Sequence, residues 1–129
     1  MHMPTTVTIF GLKGCDTCRN ARKWLATVGI EKPAPVHDFR KDGLPPEALD
    51  RWLKRFGWKV LINRRGTTWR GLSPEAKEIV EEDEARALML ARPALIKRPV
   101  FELGEAGNGG IILGFDDAAK GALKAAFDA

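Results

Sequence analysis

This 129-residue chain has no tyrosine, two histidines and two cysteines. Two cysteines cannot build a four-sulfur metal site, and a mixed site would need both His2 and His37. His2 stands in a short polar start, so no metal centre is expected. No apolar run approaches the roughly 20 residues that a membrane helix requires. The opening Met1-His-Met-Pro-Thr-Thr6 carries no apolar signal-peptide core. A cytoplasmic protein without membrane contact is therefore expected. There are no repeats or low-complexity tracts, and no basic stripe interleaved with aromatics, so direct nucleic-acid binding is not expected. With no heptads and no long apolar edge, a monomer is expected.

What is present suits one ordinary soluble domain: 44% hydrophobic and 29% charged residues, with 21 Lys and Arg against 17 Asp and Glu. The net charge of +4 is mild, but Arg64, Arg65 and Arg70 cluster, as do Lys97 and Arg98. Such clusters suit a small anion, for example a glutathione carboxylate or an oxyanion.

The two cysteines, Cys15 and Cys18, sit three positions apart between a β-branched run and an amphipathic stretch. A thiol at a helix start faces unpaired backbone N–H groups and the positive end of the helix dipole. Both favour thiolate, the nucleophilic form. A second thiol three residues on can reach back and close a disulfide. A structural bridge across so short a loop would constrain the unfolded chain little. Inert burial fits poorly with the neighbours Lys13, Arg19, Arg22 and Lys23. Sulfur redox chemistry is the reading these residues favour.

Along the chain, Val7–Phe10 reads as a buried strand and residues 15 or 16 to 28 as a helix with Ala21, Trp24, Leu25 and Val28 on one face, ended by Gly29. Residues 35–39 read as a second strand, parallel to the first. Glu47–Phe56 reads as a helix stopped by Gly57, and 61–71 as an irregular basic stretch. Ser73-Pro74 starts a helix running to about Val80, the acidic run 81–84 marks a break or a new helix start, and Ala85–Ala91 continues helically until Pro93 stops it. Strands Val100–Leu103 and Ile111–Gly114 form a hairpin across a flexible Gly-rich turn. Asp116 caps a last helix with Ala119, Ala122, Leu123, Ala126 and Phe127 toward the core. The order βαβα, further helices, then ββα is α/β. Without its middle helices it is a thioredoxin-type fold with a mixed four-stranded sheet. In that fold a proline opens the strand beside the thiols, and Pro99 is the candidate, with a cis peptide bond expected.

These residues resemble the arsenate reductase (ArsC)/Spx family, and within it the YffB-like branch described as glutathione-dependent thiol reductases. The resemblance rests on Ile9-Phe-Gly-Leu-Lys-Gly-Cys15-Asp-Thr-Cys18-Arg-Asn-Ala-Arg-Lys-Trp24-Leu, Asp38-Phe-Arg-Lys-Asp-Gly43-Leu, Gly57-Trp58, Leu61-Ile-Asn-Arg-Arg65-Gly-Thr-Thr-Trp69-Arg, Ile96-Lys-Arg98-Pro99-Val and Leu113-Gly-Phe115. It implies one ArsC/Spx-type domain spanning 1–129, with a helical insert at about 45–93.

For chemistry, the resemblance implies a thiol–disulfide oxidoreductase with Cys15 as nucleophile, Cys18 as resolving thiol and glutathione as co-substrate, no cofactor being bound. The helix start would depress the Cys15 pKa, helped by Lys13, Arg19 and Arg98 and opposed by Asp16. Arg98, with Arg65 or else Arg64, would hold a substrate anion, Lys13 and Arg19 would border the same substrate or glutathione site, and Pro99 would shape the groove. In arsenate reductases of this type a cysteine at the position of Cys15 attacks arsenate, three arginines hold it, and glutathione with glutaredoxin completes the cycle. Arg98 matches one arginine, Asn63 stands at the second, and Gly109–Leu113 holds none. Thiol–disulfide chemistry therefore ranks above arsenate reduction. In Spx regulators the CxxC is a redox switch and the protein binds the RNA polymerase α subunit. Gly57 matches a glycine used there, which a helix cap also explains.

Overall fold

A computed structural model describes residues 7–12, 14–27, 36–79 and 81–128, the last two as backbone. The chain divides into two compact units, one made of residues 1–42 with 98–129, the other of residues 43–97.

The first unit is built on four strands, β1 (Val7–Gly11), β2 (Val36–Asp38), β3 (Val100–Leu103) and β4 (Gly110–Leu113), in the order β2-β1-β3-β4. β2 runs parallel to β1, while β3 runs antiparallel to both β1 and β4. The mixed sheet follows from connectivity, because a helix joins β1 to β2 whereas β3 and β4 share a short turn. In that turn Gly104 and Ala106 have positive φ (74° and 53°) and the Gly109 N–H donates to the Leu103 carbonyl at 2.7 Å.

Helices α1 (Asp16–Thr27) and α7 (Asp117–Asp128) belong to this unit. Alternation along β1 and β3 puts Val7, Ile9, Phe101 and Leu103 on one face, where they cluster with Ala21, Leu25 and Leu123. Trp24 and Phe115 close the cluster edge-to-face at 5.6 Å. Asp116 caps α7, its Oδ1 accepting from the Ala119 N–H at 2.8 Å. Ala122, expected in the core, is exposed. At about 100° per residue it lies roughly 60° round the helix from Ala119, outside the stripe of Ala119, Leu123 and Ala126. Val28, Gly29 and Pro35 fall outside the described residues, as does the Phe127 side chain.

The second unit is helical: α2 (Pro46–Phe56), α3 (Trp58–Leu61), α4 (Thr67–Arg70), α5 (Pro74–Lys77) and α6 (Glu82–Ala91). Trp52, Leu49, Leu61, Ile62, Met89, Leu95 and Ile96 are fully buried. Gly57 (φ 83°) ends α2, its N–H donating to the Leu53 carbonyl. The expected irregular stretch 61–71 contains the single turn α4, closed by the Gly71 N–H on the Thr67 carbonyl at 2.9 Å. Ser73 caps α5 as expected, but that helix stops at Lys77 rather than near Val80. Glu78 leaves the helical region there, consistent with the unfavourable field that an anion meets at a helix C-terminus.

Replacing Leu123 by Ala is expected to cost about 2–5 kcal/mol, and Asp116→Ala about 1 kcal/mol. Ala122→Ser is expected to stay within about 0.5 kcal/mol. Urea unfolding of the three variants checks this ranking.

Candidate active site

The loop after β1 delivers Cys15 to the start of α1. The Cys15 N–H donates to the Leu12 carbonyl at 3.1 Å, and the Cys15 carbonyl accepts from the Arg19 N–H at 3.1 Å. Cys15 is thus the N-cap of α1, the position where a side-chain acceptor meets the unpaired amides of the next turn. Its sulfur, half-buried, receives hydrogen bonds from the Cys18 and Thr17 amides and from the Cys18 thiol. Desolvation opposes ionisation, yet these donors and the Arg98 guanidinium outweigh it, and the Cys15 pKa falls below its ordinary value.

Cys18 is fully buried. Burial pushes its thiol up to about 12, with the neighbouring Cys15 sulfur adding to the shift and the Leu12 amide and Arg98 working against it. The pair therefore has a polarity, with Cys15 the more readily ionised sulfur and acceptor and Cys18 the thiol donor. No disulfide joins them in this structure.

Arg98 and Pro99 enter from the other side of the sheet connection, immediately before β3. Arg98 is half-buried, Pro99 is buried, and the peptide bond between them is cis, as the sequence predicts. Arg19, expected to assist Cys15, instead pairs with Asp16 on the exposed face of α1. Each therefore stands beside an opposite charge, and the cation acting on Cys15 is Arg98. Arg65 belongs to the second unit, exposed, with its N–H donating to Asn63 Oδ1 at 3.1 Å. Its neighbour Arg64 stands over the Trp69 ring at 5.5 Å. Lys13 lies outside the described residues. The structure thus groups Cys15, Cys18 and Arg98, with Pro99 next to Arg98 in the chain. The helix-start amides expected on Cys15 are those of Thr17 and Cys18, whereas the Leu12 amide on Cys18 was missed, since a backbone donor leaves no mark in residue identity. No cluster of metal-ligating side chains occurs among the described residues, and no described helix is long and apolar enough to cross a membrane.

The strand–loop–helix carrying this thiol pair, set beside a cis-proline strand, agrees with comparison to known proteins. The model of the ArsC family matches residues 10–122. The chain belongs to the ArsC family. An uncharacterised protein of Haemophilus influenzae is 39% identical over 111 residues, covering 86% of this chain and 92% of that protein. A solved YFFB protein is 40% identical with a TM-score of 0.79, over 91% of this chain and 97% of that one. An arsenate reductase (ArsC) related protein from Brucella melitensis is 44% identical with a TM-score of 0.69, over 91% and 92%. The sheet and flanking helices are those of the thioredoxin-like ArsC fold.

The pH consequences follow by sign. The folded pKa of Cys15 lies below its unfolded value, so its ionisation contributes stability present above the unfolded pKa and lost as pH falls through the folded one. For Cys18 the folded value is raised, so stability declines as pH rises from the ordinary thiol range toward about 12. Iodoacetamide at neutral pH is expected to modify Cys15 and spare Cys18. Arg98→Met is expected to move the midpoint of the alkylation-rate profile upward, read by peptide mass spectrometry across pH.

Proposed function

We propose that this protein is a cytoplasmic thiol–disulfide oxidoreductase coupled to glutathione, with Cys15 as the attacking thiolate and Cys18 as the resolving thiol. ArsC-family membership supports a thiol-based reductase in general. The observation that carries the finer reading is the division of labour within the pair: one half-buried sulfur with a lowered pKa, and one buried sulfur held as its proton donor.

The Cys15 thiolate attacks a disulfide RS–SR′, forming a Cys15–S–SR bond and expelling R′S⁻. The Cys15 sulfur then carries no negative charge, which removes two of the influences holding Cys18 protonated. Cys18 loses its proton to solvent and attacks the Cys15 sulfur, releasing RS⁻ and closing the Cys15–Cys18 disulfide. Two glutathione molecules restore the dithiol, one through a mixed disulfide and the other by displacing it. They leave as oxidised glutathione, so the two electrons balance. Arg98 offers a cation to a glutathione carboxylate or a leaving thiolate beside the reacting sulfur.

Arsenate reduction is the second reading, supported by the name of the Brucella melitensis relative. Against it, the strand β4 and the glycine before it offer no arginine, which leaves an oxyanion with fewer bidentate donors.

Incubation of the reduced protein with oxidised glutathione, followed by intact mass and peptide mapping, tests the scheme. Loss of two hydrogens with Cys15 joined to Cys18 is the expected product. A stable glutathione adduct on Cys15 would remove the resolving role of Cys18. In turnover of a small disulfide, Cys15→Ser is expected to lose at least about 1,000-fold in kcat/KM, as for removal of a covalent nucleophile. Activity retained by that variant would overturn the nucleophile assignment.

A further inference from the structure

We propose that Gly11 is a positioning residue for the thiol pair: lacking a side chain, it leaves the space against β1 in which the Cys18 sulfur must sit to donate to Cys15. The proposal rests on Cys15 being the reacting thiol.

Gly11 is the last residue of β1 and is buried. Its φ lies outside the left-handed region, so its backbone conformation is open to any residue. Space is the constraint. A Cβ built on Gly11 would lie 2.5 Å from Cys18 Sγ, against 3.6 Å from Cys18 Cβ and 3.9 Å from Arg98 Cβ. The last two are ordinary contacts, so the collision involves the one atom that carries the thiol proton.

Neither backbone can readily retreat. Gly11 pairs with Asp38 of β2 and its carbonyl accepts from the Phe39 N–H at 2.9 Å. Cys18 sits one turn before Ala21, and α1 is anchored in the core by Ala21 and Leu25. The route left is rotation about the Cys18 Cα–Cβ bond. That rotation carries the sulfur away from its present place, where it meets both the Leu12 amide and Cys15. A methyl group on β1 would thus reach Cys15 through the lost donor, without touching Cys15 itself.

The test is a double-mutant cycle of Gly11→Ala and Cys18→Ala, with two readouts on each protein: the titration midpoint of the Cys15 thiolate by ultraviolet absorbance, and Tm. Gly11→Ala is expected to raise the Cys15 midpoint by about one unit, the scale of a lost donor to an anion. In the Cys18→Ala background, where the colliding sulfur is gone, adding Gly11→Ala is expected to move neither readout. A Gly11→Ala protein with lowered Tm and an unmoved midpoint would overturn the proposal, as would an equal midpoint shift without Cys18. Should Gly11→Ala alone fail to fold, folding restored by adding Cys18→Ala supports the proposal, and failure in both backgrounds overturns it. Absence of disulfide turnover by the unaltered protein would sink the reductase reading and leave this coupling standing.

Discussion

A half-buried sulfur anion survives only where donors replace the water it has lost, and this site depends on that requirement. The donors come from the first turn of α1, and the cation comes from the segment that opens β3. The Thr17 and Cys18 amides exist as free donors only because a helix begins there, the Cys18 thiol points at Cys15 only because α1 is fixed on the core, and Arg98 arrives with β3. No single element makes the thiolate. The arrangement stands or falls with the packing of Ala21, Leu25, Phe101 and Leu123, which carry no chemistry themselves.

The same reasoning explains why the two cysteines, identical in type and one helical turn apart, differ so much in character. The N-cap position collects the unpaired amides of the first turn, whereas the amides that follow Cys18 already serve carbonyls, beginning with Arg19 on Cys15. Cys18 keeps one backbone donor, from Leu12, which is too little to offset full burial. The asymmetry comes from position in the helix and needs no further charged residue.

Much of this was legible from residue order. The CxxC after a β-branched run, the helix face of Ala21 and Leu25, the parallel β2 and the hairpin depend on local signals: periodicity, caps, turn residues and spacing, while the cis bond before Pro99 was expected from the fold that these elements add up to. What escaped depends on contacts or competition. Arg19 was expected to serve Cys15, yet Asp16 three residues earlier is a nearer partner, and that i,i+3 relation was open to reading. The early stop of α5 turns on Glu78, an unfavourable end charge weighed against a run of adequate helix formers. Ala122 was lost because alanine marks neither face of a helix strongly. The closeness of Gly11 to Cys18 had no sequence signal at all, since seven positions separate them and only the return of α1 over β1 brings them together.

The register of β1 with β3 has a kinetic side. Thr8 faces Glu102, so the central pairing of the sheet joins segments roughly ninety residues apart in the chain. Closing so long a loop carries a large entropic cost before any contact rewards it. A chain emerging from synthesis presents both cysteines early, with α1 and β1 able to form locally. Arg98 arrives only after the whole of residues 43–97. A nascent thiol pair is therefore made before its cation, and the Arg98 charge reaches Cys15 only when the last quarter of the chain has docked.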